Sequence, residues 1–367
     1  MIWIGFRFAV REPIRLALSA GGIACAVVLT VFLAGVYRGS VRGSLSYIAQ
    51  ADADVWVGRQ GSWNLMRASG LLPASTAPRL LEVDGVTTAE PILAALLPAE
   101  VNGLRRTLLV VGLESAAAAA RPKRVVAGRA VPASGEIVVD RAFARRAHVG
   151  VGDTAALAGH ALVIAGVTDE TNLLVTQYAF VARSDLLTAV GLGDMATFFL
   201  VRGTGSARQL AARIEDRVSG VAAYDRTTFL ANNLDELETG FLPVLWAIAL
   251  LGLVVGGSVV AIMTYAAVLE KRSDYVLLAA IGAGRGLRFA VVLQQAIAAA
   301  AIGAVAGLAA LAALEVALPA LVPELSMRVE PRIAAAALAG AMIMAALGAT
   351  LPGRIATRFA PLEALRR

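Results

Sequence analysis

Few side chains of this chain have types and spacings suited to catalysis or metal binding. The two histidines, His148 and His160, do not form the H-E-x-x-H pattern in which two histidines of one helix bind zinc. The single cysteine, Cys25, lies inside a long apolar run, where a thiol usually packs as a small apolar side chain. We therefore predict no catalytic residue and no metal site, and we interpret the histidines as surface or turn residues.

Nucleotide hydrolysis and nucleic-acid binding are also not expected. A P-loop places a glycine directly before the lysine that reaches the phosphates, and neither Lys123 nor Lys271 follows a glycine. Residues 38–240 contain 20 basic and 20 acidic residues, without a basic patch that has interleaved aromatic residues. The chain is therefore not a P-loop ATPase, and we predict no nucleic-acid partner.

The most informative motif is a short charged and apolar segment that follows a long apolar run. It starts with three charged residues and continues with apolar residues at helical spacing: Glu270, Lys271, Arg272, Val276, Leu277, Ala280 and Ile281. Gly282 and Gly284 then allow a sharp stop. A short, capped amphipathic helix suits docking in a groove of a partner. The same composition is equally typical of a positively charged turn at a membrane surface.

Four runs without any charged residue set the layout around this motif. They are residues 16–37, 241–269, 289–314 and 333–353. About 20 apolar residues form a helix that crosses the hydrocarbon core of a bilayer. Charged residues make up only 16% of the chain, against about 25% in soluble domains. We predict an α-helical membrane protein with four transmembrane helices in a 1+3 arrangement and a large α+β domain at 38–240.

The charges next to these runs predict the orientation. The segment 1–15, the loop 270–288 and the tail 354–367 each carry more basic than acidic residues, whereas the loop 315–332 carries two arginines and three glutamates. Short basic loops stay in the cytoplasm. Both termini and the loop 270–288 are therefore predicted to be cytoplasmic, and residues 38–240 and 315–332 extracytoplasmic.

The segment 1–15 has the pattern of an amphipathic helix at the membrane surface. Its aromatic residues and its arginines form two separate stripes along the helix. The predicted interface residues are Trp3, Phe6, Arg7, Arg11 and Arg15. Such a helix lies in the interface with its rings toward the lipid. A plain basic flank of the first membrane helix predicts the same location. The run 16–37 is longer than the core of a signal peptide, so we expect a retained helix.

Small residues predict the packing faces of the membrane helices. The predicted packing glycines are Gly252, Gly256, Gly303, Gly307 and Gly340. Small residues allow close approach of helices in lipid, but they leave open whether the contact is within one chain or between two. No ionisable residue interrupts the four runs, so the sequence offers no path for a polar solute. Gln294 and Gln295 are interpreted as interhelical hydrogen-bonding residues.

The residues 38–240 alternate between strand-like and helix-like segments. β-rich segments occur at 53–57, 107–113, 136–140 and 178–182, a hairpin with a turn at Gly159 and His160 is predicted within 149–168, and 208–219 has helical periodicity. This pattern predicts an α+β domain, but it does not predict the order of the strands in the sheet.

The loop after the second run resembles the signature of FtsX-like permeases, the membrane subunits of MacB-type ABC transporters. The resemblance rests on Glu270, Lys271, Arg272, Leu277, Leu278, Ala280, Ile281, Gly282, Ala283 and Arg285, and on the tail 360–366. Ala279 and Gly284 stand where an arginine and a serine are common in the family, and Gln294 and Gln295 lie near a usual glutamate.

The resemblance implies a bacterial inner-membrane permease whose outer domain is similar to the MacB periplasmic core domain. Its partners would be two copies of a cytoplasmic ABC ATPase, which hold ATP and Mg²⁺, so this chain itself would bind no cofactor. Further implied partners are a second permease copy, identical or related, and membrane lipid. Some relatives also have a periplasmic adaptor. The residues implied to couple to the ATPase are Glu270, Lys271, Arg272, Leu277, Leu278, Ile281, Gly282, Gly284 and Arg285.

Two functions remain open at this point. The first is export or extraction of a hydrophobic or amphipathic substrate (a lipid, glycolipid, lipoprotein or drug) by mechanotransmission, which the uncharged helices and the size of the outer domain favour. The alternative is a non-transporting regulator that activates an extracytoplasmic partner such as a cell-wall hydrolase. A receptor-like anchor without an ATPase is a weaker third option.

Overall fold

The computed structural model describes residues 13–65, 70–114, 119–172, 176–322, 327 and 329–358. They form two compact units. We call the described residues of 1–37, 242–318 and 327–367 the membrane unit, and those of 38–241 and 319–326 the sheet domain. Of the predicted interface residues, Trp3, Phe6, Arg7 and Arg11 lie outside the described residues, as does the tail 360–366.

Within the described residues, four helices are long and apolar enough to cross a membrane: Pro13–Gln50, Leu242–Glu270, Arg285–Leu318 and Pro331–Arg358. The helices of the described chain are α1 (Pro13–Gln50), α2 (Thr76–Leu81), α3 (Arg141–Ala147), α4 (Arg183–Val190), α5 (Ala207–Arg217), α6 (Arg226–Glu270), α7 (Arg272–Ala280), α8 (Arg285–Leu321) and α9 (Pro331–Arg358). The predicted fold class, with four membrane helices in a 1+3 arrangement and a large α+β domain, is confirmed.

The long helices extend beyond the charge-free runs. Helix α1 continues past Arg38 and Arg42, and α6 begins at Arg226, before the apolar run at 241. A charged residue ends an apolar run without ending a helix, because arginine and glutamate are good helix formers. Asp225 starts α6 by accepting hydrogen bonds from the backbone nitrogens of Thr227 at 3.0 Å and Thr228 at 3.2 Å.

Glycines produce close helix contacts within the membrane unit. A Cβ atom on Gly303 would lie 2.4 Å from the carbonyl oxygen of Ala20, and one on Gly307 would lie 2.9 Å from that of Ala24. Helices α1 and α8 therefore cross at a distance that only glycine permits. This contact lies within one chain.

The other predicted packing glycines differ in how closely they are approached. A Cβ on Gly256 would lie 3.1 Å from the Cβ of Ala26, and one on Gly252 would lie 3.5 Å from a methyl group of Leu29. Around Gly340, a Cβ would meet no described atom within 4 Å. Packing at Gly340 stays a prediction.

The sheet domain is built on a mixed sheet. Its strands are β1 (Val55–Arg59), β3 (Val86–Val101), β4 (Leu104–Leu113), β5 (Val125–Gly128), β6 (Glu136–Asp140), β7 (Thr154–Leu157), β8 (His160–Thr168), β9 (Gln177–Ala182), β11 (Phe198–Gly203) and β12 (Val221–Asp225). The order is β12-β1-β11-β3-β4-β9-β6-β8-β5, and β7 pairs with β3 and β8. The pairs β4–β9 and β6–β8 are parallel. A separate two-stranded sheet joins β2 (Leu72–Pro73) and β10 (Met195–Ala196).

Strand β3 connects the two halves of the sheet. Its first part pairs with β11 and its second part with β4. This strand was not predicted from the sequence, and it contains Pro91 and Pro98, although proline is uncommon inside sheets. The carbonyl of Pro98 nevertheless accepts a hydrogen bond from the nitrogen of Ala158 at 2.8 Å.

The predicted hairpin forms with a turn one residue earlier than expected. Strand β7 ends at Leu157 and β8 begins at His160, so the turn is Ala158-Gly159 rather than Gly159-His160. Both turn residues have positive φ, 48° at Ala158 and 87° at Gly159. This is the geometry that two-residue hairpins favour, and His160 is the first residue of the second strand.

The parts of α1 and α6 that belong to the sheet domain pack into its core. Trp56 of β1 stacks on Phe229 of α6 with ring centroids 4.6 Å apart, and Tyr47 of α1 lies 5.0 Å from the ring of Tyr178. A Cβ on Gly43 would lie 2.1 Å from the carbonyl oxygen of Asn172. These contacts fix both helix ends in the domain.

A buried carboxylate at the start of α3 makes the sheet domain sensitive to pH. Asp140 accepts hydrogen bonds from Ala142 N at 2.7 Å and Thr171 Oγ1 at 2.7 Å. Burial raises the pKa of Asp140, although the bonds from Thr171 and Ala142 oppose this. Because the folded-state pKa is raised, the stabilisation is complete below the ordinary aspartate pKa of about 4 and is lost as pH rises through the raised pKa.

We expect Asp140→Asn to remove this part of the pH dependence, because asparagine keeps one acceptor oxygen but does not ionise. The measurement is the urea unfolding midpoint of the full chain in detergent at pH values from 4 upward. Exposed Asp216→Asn is the matched control and should keep the wild-type slope. Equal slopes in wild type and Asp140→Asn would contradict the assignment.

Candidate coupling site

Helix α7 lies between two long helices of the membrane unit in the sequence. Helix α6 ends at Glu270, α7 starts at Arg272, and Tyr275 N donates to the carbonyl of Lys271 at 3.1 Å. Tyr275 and Val276 are buried, with exposed fractions of 3% and 5%. These two side chains anchor one face of α7. We call residues 270–285 the coupling loop.

The opposite face of α7 presents apolar side chains to solvent. Leu277 is 61% exposed, and Ile281, the residue directly after α7, is 79% exposed. The two residues are four positions apart, so they lie on the same side. Leu278 is half-buried. The sequence analysis placed Val276 on the same apolar face as Leu277, and this was wrong, because neighbouring helix residues point about 100° apart and Val276 packs inward. An exposed apolar pair on a short, anchored helix is the geometry of a docking element.

Gly282 ends α7 through a specific backbone motif. Its φ is 89°, Gly282 N donates to Ala279 O at 3.1 Å, and Ala283 N donates to Leu278 O at 2.8 Å. This pair of bonds is the Schellman motif, which favours glycine at the left-handed position. Gly282 therefore fixes where α7 stops.

Gly284 has a different position from the one expected. The sequence analysis assigned it to the stop of α7, but its carbonyl accepts bonds from Leu287 N at 3.1 Å and Arg288 N at 3.3 Å. It therefore precedes the first turn of α8. Its φ lies outside the positive region, so glycine is not required there by backbone conformation.

The charged residues at the start of the loop are linked to the first helix. Arg15 donates through Nη2 to Oε2 of Glu270, and these two residues are 255 positions apart in the sequence. Arg272 and Arg285 are exposed, and Lys271 is half-buried. The structure thus brings a predicted interface residue, Arg15, to a predicted coupling residue, Glu270. No local sequence signal could have indicated this pair.

Arg288 is a further positioning residue that the sequence analysis counted only as a loop charge. Its side chain is buried, with an exposed fraction of 6%, and Nη1 donates to the carbonyl of Ala356 at 3.3 Å. This bond ties the start of α8 to the end of α9. A buried arginine at this position holds the two helices that follow the coupling loop.

The described residues contain no group of three or more histidine, cysteine, aspartate or glutamate side chains that could hold a metal ion. The site therefore consists of an exposed apolar helix face, a glycine stop and surrounding charges. This arrangement can bind a protein surface.

Two family models match the chain. The MacB-like periplasmic core domain matches residues 16–228, and the FtsX-like permease C-terminal domain matches residues 246–361. No curated protein gives a match.

Solved structures with similarity to the chain include two extracytoplasmic domains. One is the periplasmic region of MacB from Actinobacillus actinomycetemcomitans, with 12% identity, a TM-score of 0.40, and 51% of this chain and 94% of that chain covered. Another is the extracellular domain of the noncanonic ABC-type transporter YknZ from Gram-positive bacteria, with 13% identity, a TM-score of 0.36, and coverage of 47% and 100%.

The core-domain model alone spans more than half of the chain, and the permease model covers most of the rest. The resemblance that the loop residues indicated is confirmed. The chain belongs to the FtsX/MacB-type family of ABC-transporter permeases, membrane subunits whose ATPase activity resides in a separate subunit.

Proposed function

We propose that this chain couples ATP hydrolysis by a separate ABC ATPase to the export or extraction of a hydrophobic or amphipathic substrate. The observation that carries the proposal is the coupling loop, with its apolar pair Leu277 and Ile281 exposed on an anchored helix. A family of permeases that lack their own ATPase needs a surface that receives the movement of the partner. Two ATPase copies would bind to two permease copies, with ATP and Mg²⁺ on the ATPase.

The docking contact would combine apolar burial with charge pairing. Leu277 and Ile281 would enter a groove of the ATPase, while Glu270, Arg272 and Arg285 would form the rim. Charged residues at the rim of an interface set orientation and association rate more than affinity. The buried residues Tyr275 and Val276 would pass a displacement of α7 to the rest of the membrane unit, because a packed side chain cannot move independently of its neighbours.

Continuous helices support mechanical transmission to the sheet domain. Helices α1 and α6 each contain residues of both units, with the boundaries at 37/38 and 241/242. A hydrogen-bonded helix transmits displacement along its axis. Pro243 lies in α6 beside this boundary. A proline removes one backbone hydrogen bond, so it is the position at which α6 can bend.

The membrane helices support a hydrophobic or amphipathic substrate class. The runs 16–37, 241–269, 289–314 and 333–353 contain no charged side chain. Moving a polar solute through the membrane requires polar or charged groups along its path. A lipid-like substrate, or one taken up outside the membrane, has no such requirement. The charge pattern supports a bacterial inner-membrane location with both termini in the cytoplasm and the sheet domain outside.

The test is reconstitution of the full chain with its ATPase in vesicles of defined lipid composition. We expect ATP hydrolysis to rise severalfold with the correct lipid, glycolipid, lipoprotein or drug, and we expect release of that substrate to an acceptor. If no substrate of these classes stimulated ATP hydrolysis and none was released, the export proposal would be contradicted. Capture and activation of an extracytoplasmic hydrolase without any transport would instead support the regulatory alternative.

A further inference from the structure

A small cleft in the membrane unit has polar and cationic groups at one end and an apolar wall at the other. The polar lining residues are Arg15 and Ser19 of α1, Thr264 of α6, Lys271 between α6 and α7, and Gln295 of α8. The enclosed part of the cleft has a volume of about 40 Å³. That volume accommodates a phosphate-sized group rather than a whole lipid or a protein segment.

The polar lining is rich in hydrogen-bond donors. Gln295 places Nε2 in a buried position without a hydrogen-bond partner in the described part of the chain. Ser19 and Thr264 are each 8% exposed. A buried amide nitrogen without a partner is unusual in a folded protein, and an acceptor that enters the cleft can satisfy it. An oxygen of a phosphate group supplies such an acceptor.

The charges favour an anion. Arg15 and Lys271 are cations with hydrogen-bonding or ionic interactions of their own, and Glu270 contributes a carboxylate that pairs with Arg15. These three side chains carry a net charge of one positive unit. A phosphate would share Arg15 with Glu270, because a guanidinium has five N–H donors and can serve two acceptors.

The remaining wall is apolar. Leu16, Val260 and Met263 line it together with alanines of α6 and α8. Acyl chains pack against such a surface, whereas a soluble phosphorylated metabolite would gain nothing from it. The combination of an anion-binding end and an apolar wall is typical of lipid headgroup sites between membrane helices.

We propose that this cleft binds the headgroup of an anionic phospholipid, with its phosphate on Lys271, Arg15 and Gln295 and its acyl chains along the apolar wall. The proposal goes beyond the proposed function and does not depend on any exported substrate. It uses the predicted orientation, which places this end of the helices in the cytoplasmic leaflet, where anionic lipids accumulate. Since Lys271 is also the residue before α7, the bound lipid would lie at the base of the coupling loop.

The experiment measures lipid binding by the purified full chain in neutral detergent, without its ATPase. Phosphatidylglycerol and phosphatidylcholine are added separately, and bound lipid is counted by native mass spectrometry, with the thermal unfolding midpoint as a second measure. We expect phosphatidylglycerol to bind more tightly and to raise the midpoint more. Inorganic phosphate at the same concentration should do neither, and an equal effect of phosphate would overturn the lipid assignment.

Three variants test the location. Lys271→Ala and Gln295→Leu should each weaken phosphatidylglycerol binding by about fivefold, the contribution of one such contact near the membrane surface. Arg354→Ala, which removes an exposed cation of α9 away from the cleft, should bind like wild type. Wild-type affinity in both cleft variants would overturn the proposal. Equal binding of phosphatidylcholine and phosphatidylglycerol would also overturn it. A change in the oligomeric mass of the variants, with no difference between the two lipids, would identify the cleft as a subunit contact and would overturn the proposal as well.

Discussion

Replacing Leu277 and Ile281 together with aspartate should abolish co-purification of the chain with its ABC ATPase. The two side chains are 61% and 79% exposed, so the substitution removes little packing from the membrane unit. Burial of one such side chain in an interface contributes about 1.5–3 kcal/mol. Loss of both therefore weakens binding by about a hundredfold or more. The measurement is pull-down of the ATPase by the tagged permease in detergent.

A matched control separates docking from a general effect of surface charge. Val126 of the sheet domain is 54% exposed, so Val126→Asp makes the same chemical change away from the coupling loop. This variant should retain the ATPase at the wild-type level. Unchanged retention in the Leu277→Asp and Ile281→Asp double variant would show that α7 is not the docking element.

The glycines of the loop provide a second, backbone-level comparison. Gly282 has φ of 89° and no described atom within 4 Å of a Cβ, so Gly282→Ala introduces conformational strain without a clash. The cost of placing alanine in this region is about 1–2 kcal/mol. At Gly284, a Cβ would meet no described atom within 4 Å, and φ is not positive, so Gly284→Ala should behave like wild type. Of the two glycine variants, we expect only Gly282→Ala to weaken ATPase binding. Charge reversal at Glu270, Lys271 and Arg272 should also lower binding.

The membrane layout could be predicted from sequence because the bilayer sets the requirement. A helix must cover a fixed thickness with apolar residues, and the four charge-free runs show this directly. The ends of the helices could not be predicted in the same way. Helix α1 continues to Gln50 and α6 starts at Arg226, since these outer parts are stabilised by packing around Trp56 and Phe229.

The sheet domain was predictable only locally. Strand β6 has the predicted bounds, Glu136–Asp140, because its apolar residues are contiguous. The order of strands depends on pairings between distant segments, for example β3 with β11, and one sequence contains no local signal for them. Strand β3, which connects both halves, contains Pro91 and Pro98, although proline is uncommon inside sheets.

The coupling loop was also predictable only in its local features. The residue types around Gly282 predicted a short helix with a glycine stop, because capping is local in sequence. Which face is buried depends on distant neighbours, so the burial of Tyr275 and Val276 was not predictable from the loop itself. The ion pair between Arg15 and Glu270 depends on the arrangement of α1 and α6 and could be found only in the structure.

The second large effect is expected at the crossing of α1 and α8. In Gly303→Ala, the new Cβ would lie 2.4 Å from the carbonyl oxygen and 3.0 Å from the Cα of Ala20, so the helices must move apart. Overpacking of this kind costs about 1–3 kcal/mol. We expect a clearly lower thermal unfolding midpoint for the full chain in detergent. Because the obstacle is a backbone oxygen, Ala20→Gly should not rescue the variant.

Gly21→Ala provides the control for this crossing. Gly21 lies on the same helix α1, and a Cβ there meets no described atom within 4 Å. Alanine is favoured over glycine inside a helix by up to about 1 kcal/mol, so Gly21→Ala should be as stable as wild type or slightly more stable. If Gly303→Ala and Gly21→Ala unfolded at the same temperature, the close crossing of α1 and α8 would be contradicted. Since α1 also carries Arg15, loosening this crossing should shift the partner of Glu270 and lower ATPase binding together with stability.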